Sequence, residues 1–154
     1  MMNKKTGVLL IQLGTPDSPS KSDVRKYLTE FLNDPRVIDT SWLARTALVN
    51  LIIVPFRTPK SAKIYRELWT EEGSPLLIYT NSVKEKLQQQ LGPEYKIEMA
   101  MRYQNPTMDD VLERMRKDCY DRIIILPLFP QYASASNGSA IEKALKIISG
   151  WWVI

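Results

Sequence analysis

The stretch RIIILPLFPQYASASNGSAIEKALKII, residues 122–148, decides the fold. Ile123, Ile124, Ile125 and Leu126 form a short β-branched run of the kind that makes a strand buried on both faces. Pro127-Leu128-Phe129-Pro130 breaks the run, a small polar loop extends from Gln131 to Ser139, and the chain then turns helical. Ile141, Ala144, Leu145 and Ile148 recur at the i, i+3, i+4, i+7 spacing of one helix face. Strand, polar loop and helix make the unit from which open α/β sheets build sites beyond the carboxyl ends of their strands. Amides at such a helix start, helped by the macrodipole, favour an anionic group by a few tenths to about 2 kcal/mol. The plainer reading is that Ser136 simply caps the helix.

The rest of the chain extends the same alternation. Thr6 to Leu13 reads as a first buried strand, closed by Gly14-Thr15-Pro16-Asp17. A helix follows from about Ser20, where Ser20 and Asp23 resemble a capping box and Val24, Tyr27, Leu28, Phe31 and Leu32 form the apolar face. Asn33-Asp34-Pro35 ends it. The glycine fingerprint of dinucleotide-binding folds is missing after strand one, so that reading has little support. Ser74-Pro75 begins a helix with serine as N-cap, and Leu76, Tyr79, Val83, Leu87 and Leu91 supply its expected buried face up to Gly92-Pro93. Lys96 to Arg102 alternates as a second strand. From Asn105-Pro106 a helix is expected with Met108, Val111, Leu112 and Met115 inward, Asp109 and Asp110 in its first turn and Arg114, Arg116 and Lys117 in its last. The order predicts an α/β fold, a parallel sheet flanked by helices.

Between these elements lies a less ordinary segment. Trp42 to Val54 is apolar on most sides, with Arg45 and Asn50 as polar relief, and Pro55 is expected to end it. A core helix, a lip over a hydrophobic ligand and a contact with a membrane surface all suit it. Arg57-Thr58-Pro59-Lys60 then puts two cations at the expected start of another helix running to Trp69, where they oppose the macrodipole. A ligand carboxylate would explain them; solvated surface charge is the more frequent explanation.

Composition narrows the function classes. At 154 residues, 44% hydrophobic and 25% charged, the chain suits one soluble domain burying roughly two-thirds of its unfolded surface. The net charge of +4 comes from scattered basic residues, which argues against a nucleic-acid partner and leaves an acidic small ligand open. The single cysteine, Cys119, excludes an internal disulfide framework and a four-cysteine metal site within one chain, and makes a cytoplasmic setting the default. Val8 to Ile11 is too short for a signal-peptide core, and Ala47 to Phe56 too short to span a bilayer. There is no histidine, so the commonest acid–base and metal-ligating side chain is absent. Trp151 to Ile154 reads as the approach to another strand on which the chain stops, so that residues 1–150 are expected to be one lobe and 151–154 the start of the next element in a cut chain.

Five motifs in series carry a resemblance. Val8-Leu9-Leu10-Ile11-Gln12-Leu13-Gly14-Thr15-Pro16, Arg57-Thr58-Pro59-Lys60 with Tyr65 five positions on, Gly73-Ser74-Pro75-Leu76, Met101-Arg102-Tyr103, and Leu126-Pro127-Leu128-Phe129-Pro130-Gln131-Tyr132-Ala133-Ser134 together resemble the ferrochelatase family. The resemblance implies an enzyme that inserts ferrous iron into protoporphyrin IX or coproporphyrin, built as two similar Rossmann-like α/β lobes with the porphyrin between them. This chain looks like the first lobe only. Matching the motifs implies that Arg57, Tyr65 and Ser74 bind the porphyrin, that Arg102 and Tyr103 line the cleft, that Lys60 lies near the macrocycle and that Leu13 faces it. The Tyr132–Ser139 loop matches the polar floor of the cleft, although Ala133 and Ala135 stand where more polar residues are often seen.

The residue types suit that chemistry. A porphyrin is a large apolar disc with propionates on one edge, and binding it calls for aromatic faces, an apolar cleft and a few cations or hydroxyls. Arginine can hold a propionate bidentately where lysine cannot. The base for the pyrrole protons and the residue that strips water from the iron are implied to be a histidine and an acid of the second lobe, so no catalytic or metal-binding residue is expected here. Glu142 and Asp17 read as solvated carboxylates. No cofactor is expected, iron being substrate; a cluster in the missing part stays open.

On this reading the chain alone is inactive or nearly so, and its uncovered apolar surface predicts self-association. It sits in the cytoplasm, with peripheral membrane contact open. The alternatives are a non-catalytic α/β module binding an anionic metabolite at residues 134–139, and a related chelatase for another tetrapyrrole or metal; the Arg57–Lys60 segment favours the haem branch.

Overall fold

A computed structural model describes residues 5–151; the expectation of a further strand through Trp152–Ile154 lies outside the described residues. The chain forms two compact units, one of residues 5–13, 79–102 and 106–151, the other of residues 14–78 and 103–105.

The first unit is built on β1 (Thr6–Gly14), β2 (Tyr95–Tyr103) and β3 (Arg122–Pro127), in the order β2-β1-β3. It is the expected α/β parallel sheet, with Val8 paired to Ile124 and Leu10 to Leu126. Leu9 and Ile11 point to one side. There they meet Met108, Val111, Leu112 and Met115, and Ala140 and Ala144 of a later helix, in a core closed by Ala100 and Tyr120. The four inward residues of the Met108–Lys117 helix are those the 3.6 period selects, and Thr107 caps it by accepting from the Asp110 amide at 3.1 Å.

Several expectations in this unit are corrected. β3 is not buried on both faces: Ile123 and Ile125 pack on the core, while Ile124 and Leu126 are 39% and 43% exposed. β3 is an edge strand, and among the described residues its second face is left uncovered. The final helix, Ser139–Ile148, turns Ala140, Ala144, Ile147 and Ile148 inward and leaves Ile141 and Leu145 outside, because small alanines let the backbone approach the core closely. Nor does Ser136 cap it. A π turn over Ser134–Gly138 leads in, with the Gly138 amide donating to the Ala133 carbonyl at 3.1 Å, so helical structure begins a turn earlier.

In the Pro75–Leu91 helix the apolar period misplaces the buried face. Thr80 is buried, whereas Tyr79, Val83 and Leu91 are exposed. Two polar side chains explain the rotation. Gln88 donates to the Tyr95 carbonyl at 2.7 Å and accepts from the Ile97 amide at 2.9 Å, satisfying backbone groups of the edge strand β2. Lys84 pairs with Glu98 at 3.2 Å.

The second unit is helical. Its first helix, α1 (Lys21–Leu32), starts as expected, the Ser20 hydroxyl accepting from the Asp23 amide at 3.1 Å, and it buries Val24, Tyr27, Leu28 and Leu32. The next helices are α2 (Trp42–Ala47) and α3 (Val54–Leu68), which packs against α1. Pro55 does not end the apolar segment. A π turn over Leu48–Ile53 joins α2 to α3, and the backbone stays helical from Trp42 to Leu68. The buried positions Arg45, Val49, Val54, Thr58 and Ala62 step by four, five, four and four, so the π turn inserts the residue that keeps the stripe facing inward. Asn50 supports the turn by donating to the Thr46 carbonyl at 2.9 Å and accepting from Asn33 at 3.3 Å. Arg57 and Lys60 therefore lie inside a longer helical run, and no unfavourable macrodipole at a helix start bears on them.

Candidate functional site

The site grows from the carboxyl end of β1. Gly14 has φ +119°, and a Cβ there would collide with the Tyr103 carbonyl, so the chain can turn this closely only through glycine. The next residue, Thr15, is buried with its hydroxyl 2.9 Å from that of Ser74, which ends the loop before α4 (Pro75–Leu91). Ser74 stands at the expected N-cap position, its carbonyl accepting from the Ile78 amide at 3.0 Å. The loop before it closes through paired backbone bonds between Thr70 and Gly73, with Gly73 at φ +115°.

Gly14, Thr15, Tyr65, Trp69, Ser74 and Leu76 line a cavity of about 170 Å³. Sites that enclose a drug-sized ligand run to about 300–1,000 Å³, so this recess is too small to enclose one. Its aromatic wall continues inward. Trp69 meets Tyr65 edge-on, Tyr65 meets Tyr27 edge-on with centroids 6.2 Å apart, and Tyr27 stacks on Phe31 at 5.9 Å. Phe31 in turn meets the Tyr103 ring at 5.2 Å, and the Tyr103 hydroxyl donates to the Asp34 carboxylate at 2.8 Å.

The phenols in this chain of rings are perturbed. Burial pushes Tyr27 well above the ordinary phenol value of 10.0, reinforced by Tyr65 through its charge and a hydrogen bond. Burial also raises Tyr65, opposed by the hydrogen bond with Tyr27 and by the positive charge of Arg57. The positive charge of Arg57 opposes the rise in both.

The structure thus brings Tyr65 and Ser74 to one cavity, with the charge of Arg57 acting on Tyr65. Lys60 is exposed one turn further along α3. Tyr103 belongs to the same unit but is wholly buried, its hydroxyl taken by Asp34. Arg102 and Leu13 belong to the first unit. There the Arg102 Nε donates to the Ser139 hydroxyl at 2.7 Å, and Leu13 is half-buried at the end of β1. Asp17 is exposed and engaged by Lys26 and Asn105, in line with its reading as a solvated carboxylate. The sequence assigns no site role to Thr15, Trp69 or Tyr27: Thr15 stands in a strand-closing turn and in the first of the five motifs, and Tyr27 reads as one position on a helix face.

A profile of the ferrochelatase family matches residues 5–152. The chain is 49% identical over 150 residues to a ferrochelatase of Legionella pneumophila strain Paris, covering 97% of this chain and 45% of that protein. To a ferrochelatase of Coxiella burnetii it is 45% identical over 141 residues, covering 92% of this chain and 40% of the relative. The chain spans less than half the length of these curated relatives. It belongs to the ferrochelatase family.

Proposed function

We propose that this chain is the porphyrin-facing lobe of a ferrochelatase, contributing the wall that holds the macrocycle while ferrous iron is inserted. The observation that supports this best is a recess lined by Tyr65, Trp69 and the Thr15–Ser74 hydroxyl pair, with the positive charge of Arg57 felt at Tyr65. A disc with an anionic edge matches that set of groups. The guanidinium of Arg57 grips a propionate through two parallel N–H donors, and Lys60 adds a second, looser charge. Tyr65 and Trp69 present ring surface to the macrocycle, and the recess receives its rim.

Tyr103 and Arg102 act through others. Tyr103 braces the aromatic wall through Phe31 and Asp34, and Arg102 fixes Ser139 at the start of the last helix. Leu13 offers an apolar contact at the end of β1. Taking the pyrrole protons and removing water from the iron are tasks for residues beyond this chain, which contains no histidine. Protoporphyrin IX and coproporphyrin share the propionate edge.

The test is a titration of the chain with a soluble dicarboxylate porphyrin, followed by porphyrin absorbance and tryptophan emission. Arg57→Ala should weaken binding about tenfold, the equivalent of one charge-assisted contact, while Lys86→Ala should not. Saturable binding indifferent to Arg57 would overturn the assignment of that residue, and binding of neither variant nor parent would overturn porphyrin as the ligand of this lobe.

A further inference from the structure

Where β2 ends, three consecutive residues are each handed to a carboxylate of the helical unit. The Tyr103 hydroxyl donates to Asp34 at 2.8 Å, the Gln104 backbone amide to Glu30 at 3.1 Å, and the Asn105 side-chain amide to Asp17 at 2.8 Å. The middle link is the unusual one. Gln104 is 7% exposed and has φ +65°, a left-handed conformation that residues with a Cβ adopt rarely. Its side-chain Nε2 donates to the same Glu30 oxygen as its backbone amide. Its Oε1, by contrast, is buried with no hydrogen-bond partner among the described residues. The opposite orientation of the amide would set oxygen against carboxylate, so Gln104 is turned to serve Glu30 at the expense of its own carbonyl. Glu30 in return supports a backbone conformation that is strained for glutamine.

What that conformation positions is Tyr103, and two routes lead from Tyr103 to the recess. Through its ring it meets Phe31, and the ring contacts continue to Tyr27, Tyr65 and Trp69. Through its carbonyl it sits so close to Gly14 that a Cβ there would collide, and Gly14 leads to Thr15, whose hydroxyl meets that of Ser74. Tyr65 and Trp69 on one side and Thr15 and Ser74 on the other line the same cavity. Both walls thus rest on one residue, whose neighbour is held by Glu30, an exposed side chain of α1.

We propose that Glu30 is a positioning residue for the recess: by holding Gln104 in its left-handed turn it fixes Tyr103, and through Tyr103 the Tyr65–Trp69 wall and the Thr15–Ser74 pair. It acts through these residues rather than by touching a ligand. The proposal rests on the reading of the recess as part of a porphyrin-binding wall, and names what sets the geometry of that wall. Its effect is on ring contact and not on charge, so it falls alike on a dicarboxylate porphyrin and on the dimethyl ester.

The experiment follows the Trp69 indole N–H of the whole chain by heteronuclear NMR, assigned with Trp69→Phe, and titrates the same protein with a dicarboxylate porphyrin and its dimethyl ester. Far-ultraviolet circular dichroism checks that each variant folds. Glu30→Ala should shift the Trp69 signal before any porphyrin is added, and weaken both porphyrins about fivefold, the worth of one misplaced aromatic contact. Glu30→Gln keeps an accepting oxygen without the charge, and should return the signal and bring both affinities to within about twofold of the parent. Gln104→Gly added to Glu30→Ala should do the same, because glycine takes the left-handed turn without support. A purely structural role would move the urea midpoint and leave the folded chain's Trp69 signal and affinities in place. An unmoved Trp69 signal or unchanged affinities in Glu30→Ala would overturn the proposal. So would Glu30→Gln behaving as Glu30→Ala, which would make the effect one of charge. A parent chain that binds neither porphyrin would overturn the porphyrin reading instead, with the Trp69 signal still deciding the role of Glu30.

Discussion

At the residue scale, Gly14 and Tyr103 show how much of the site is scaffold. Gly14 combines a φ of +119° with direct opposition to the Tyr103 carbonyl. Gly14→Ala should cost about 2–3 kcal/mol by urea denaturation, since both the dihedral and the contact must yield. Tyr103→Phe removes a buried hydroxyl that donates to the Asp34 carboxylate and should cost about 1–3 kcal/mol, with porphyrin affinity changed far less than by Arg57→Ala. The raised phenols add a pH signature. Tyr27, Tyr65 and Tyr120 are all lifted above 10.0, chiefly by burial, so the folded state holds protons that the unfolded state releases. Their contribution to stability is complete below pH 10 and is lost as pH climbs from there through the folded values. Chemical denaturation should show stability falling above about pH 10, with the fall reduced in Tyr27→Phe.

At the element scale, legibility depended on whether one period described the element. The Met108–Lys117 helix is small, regular and amphipathic, and all four of its inward residues could be read from spacing alone. The run from Trp42 to Leu68 could not, because Pro55 looks like a stop to any reading that assumes 3.6 residues per turn. The π turn lets the helix pass proline, and its one visible trace in the sequence is Asn50, the polar residue in an apolar stretch. Asn50→Ala should lower stability by about 1 kcal/mol through loss of its bonds to Thr46 and Asn33. The α4 face was misread for a related reason. Gln88 and Lys84 are inward because an edge strand needs partners for its backbone and Glu98 a counter-charge, and hydrophobic periodicity cannot register either demand. Ile124 and Leu126 were assigned to a buried strand because composition does not reveal which faces of a sheet are covered.

At the scale of the whole molecule, the parallel α/β architecture was legible in the alternation of apolar strand runs and helix periods, and the family in five motifs that fall in order along nearly the full chain. The recess was legible only in part. Tyr65 and Ser74 were identified by motif, but Thr15 and Trp69 reach the same cavity through tertiary packing that no local pattern encodes. The uncovered second face of β3 makes self-association an expected property: light scattering should show a concentration-dependent rise in mass that Leu126→Lys reduces. The most direct test of the central claim is a comparison of a dicarboxylate porphyrin with its dimethyl ester on the parent chain and on Arg57→Ala. If Arg57 grips a propionate, the substitution weakens the diacid about tenfold and leaves the ester unchanged. Equal losses for both, or none for either, would contradict the account.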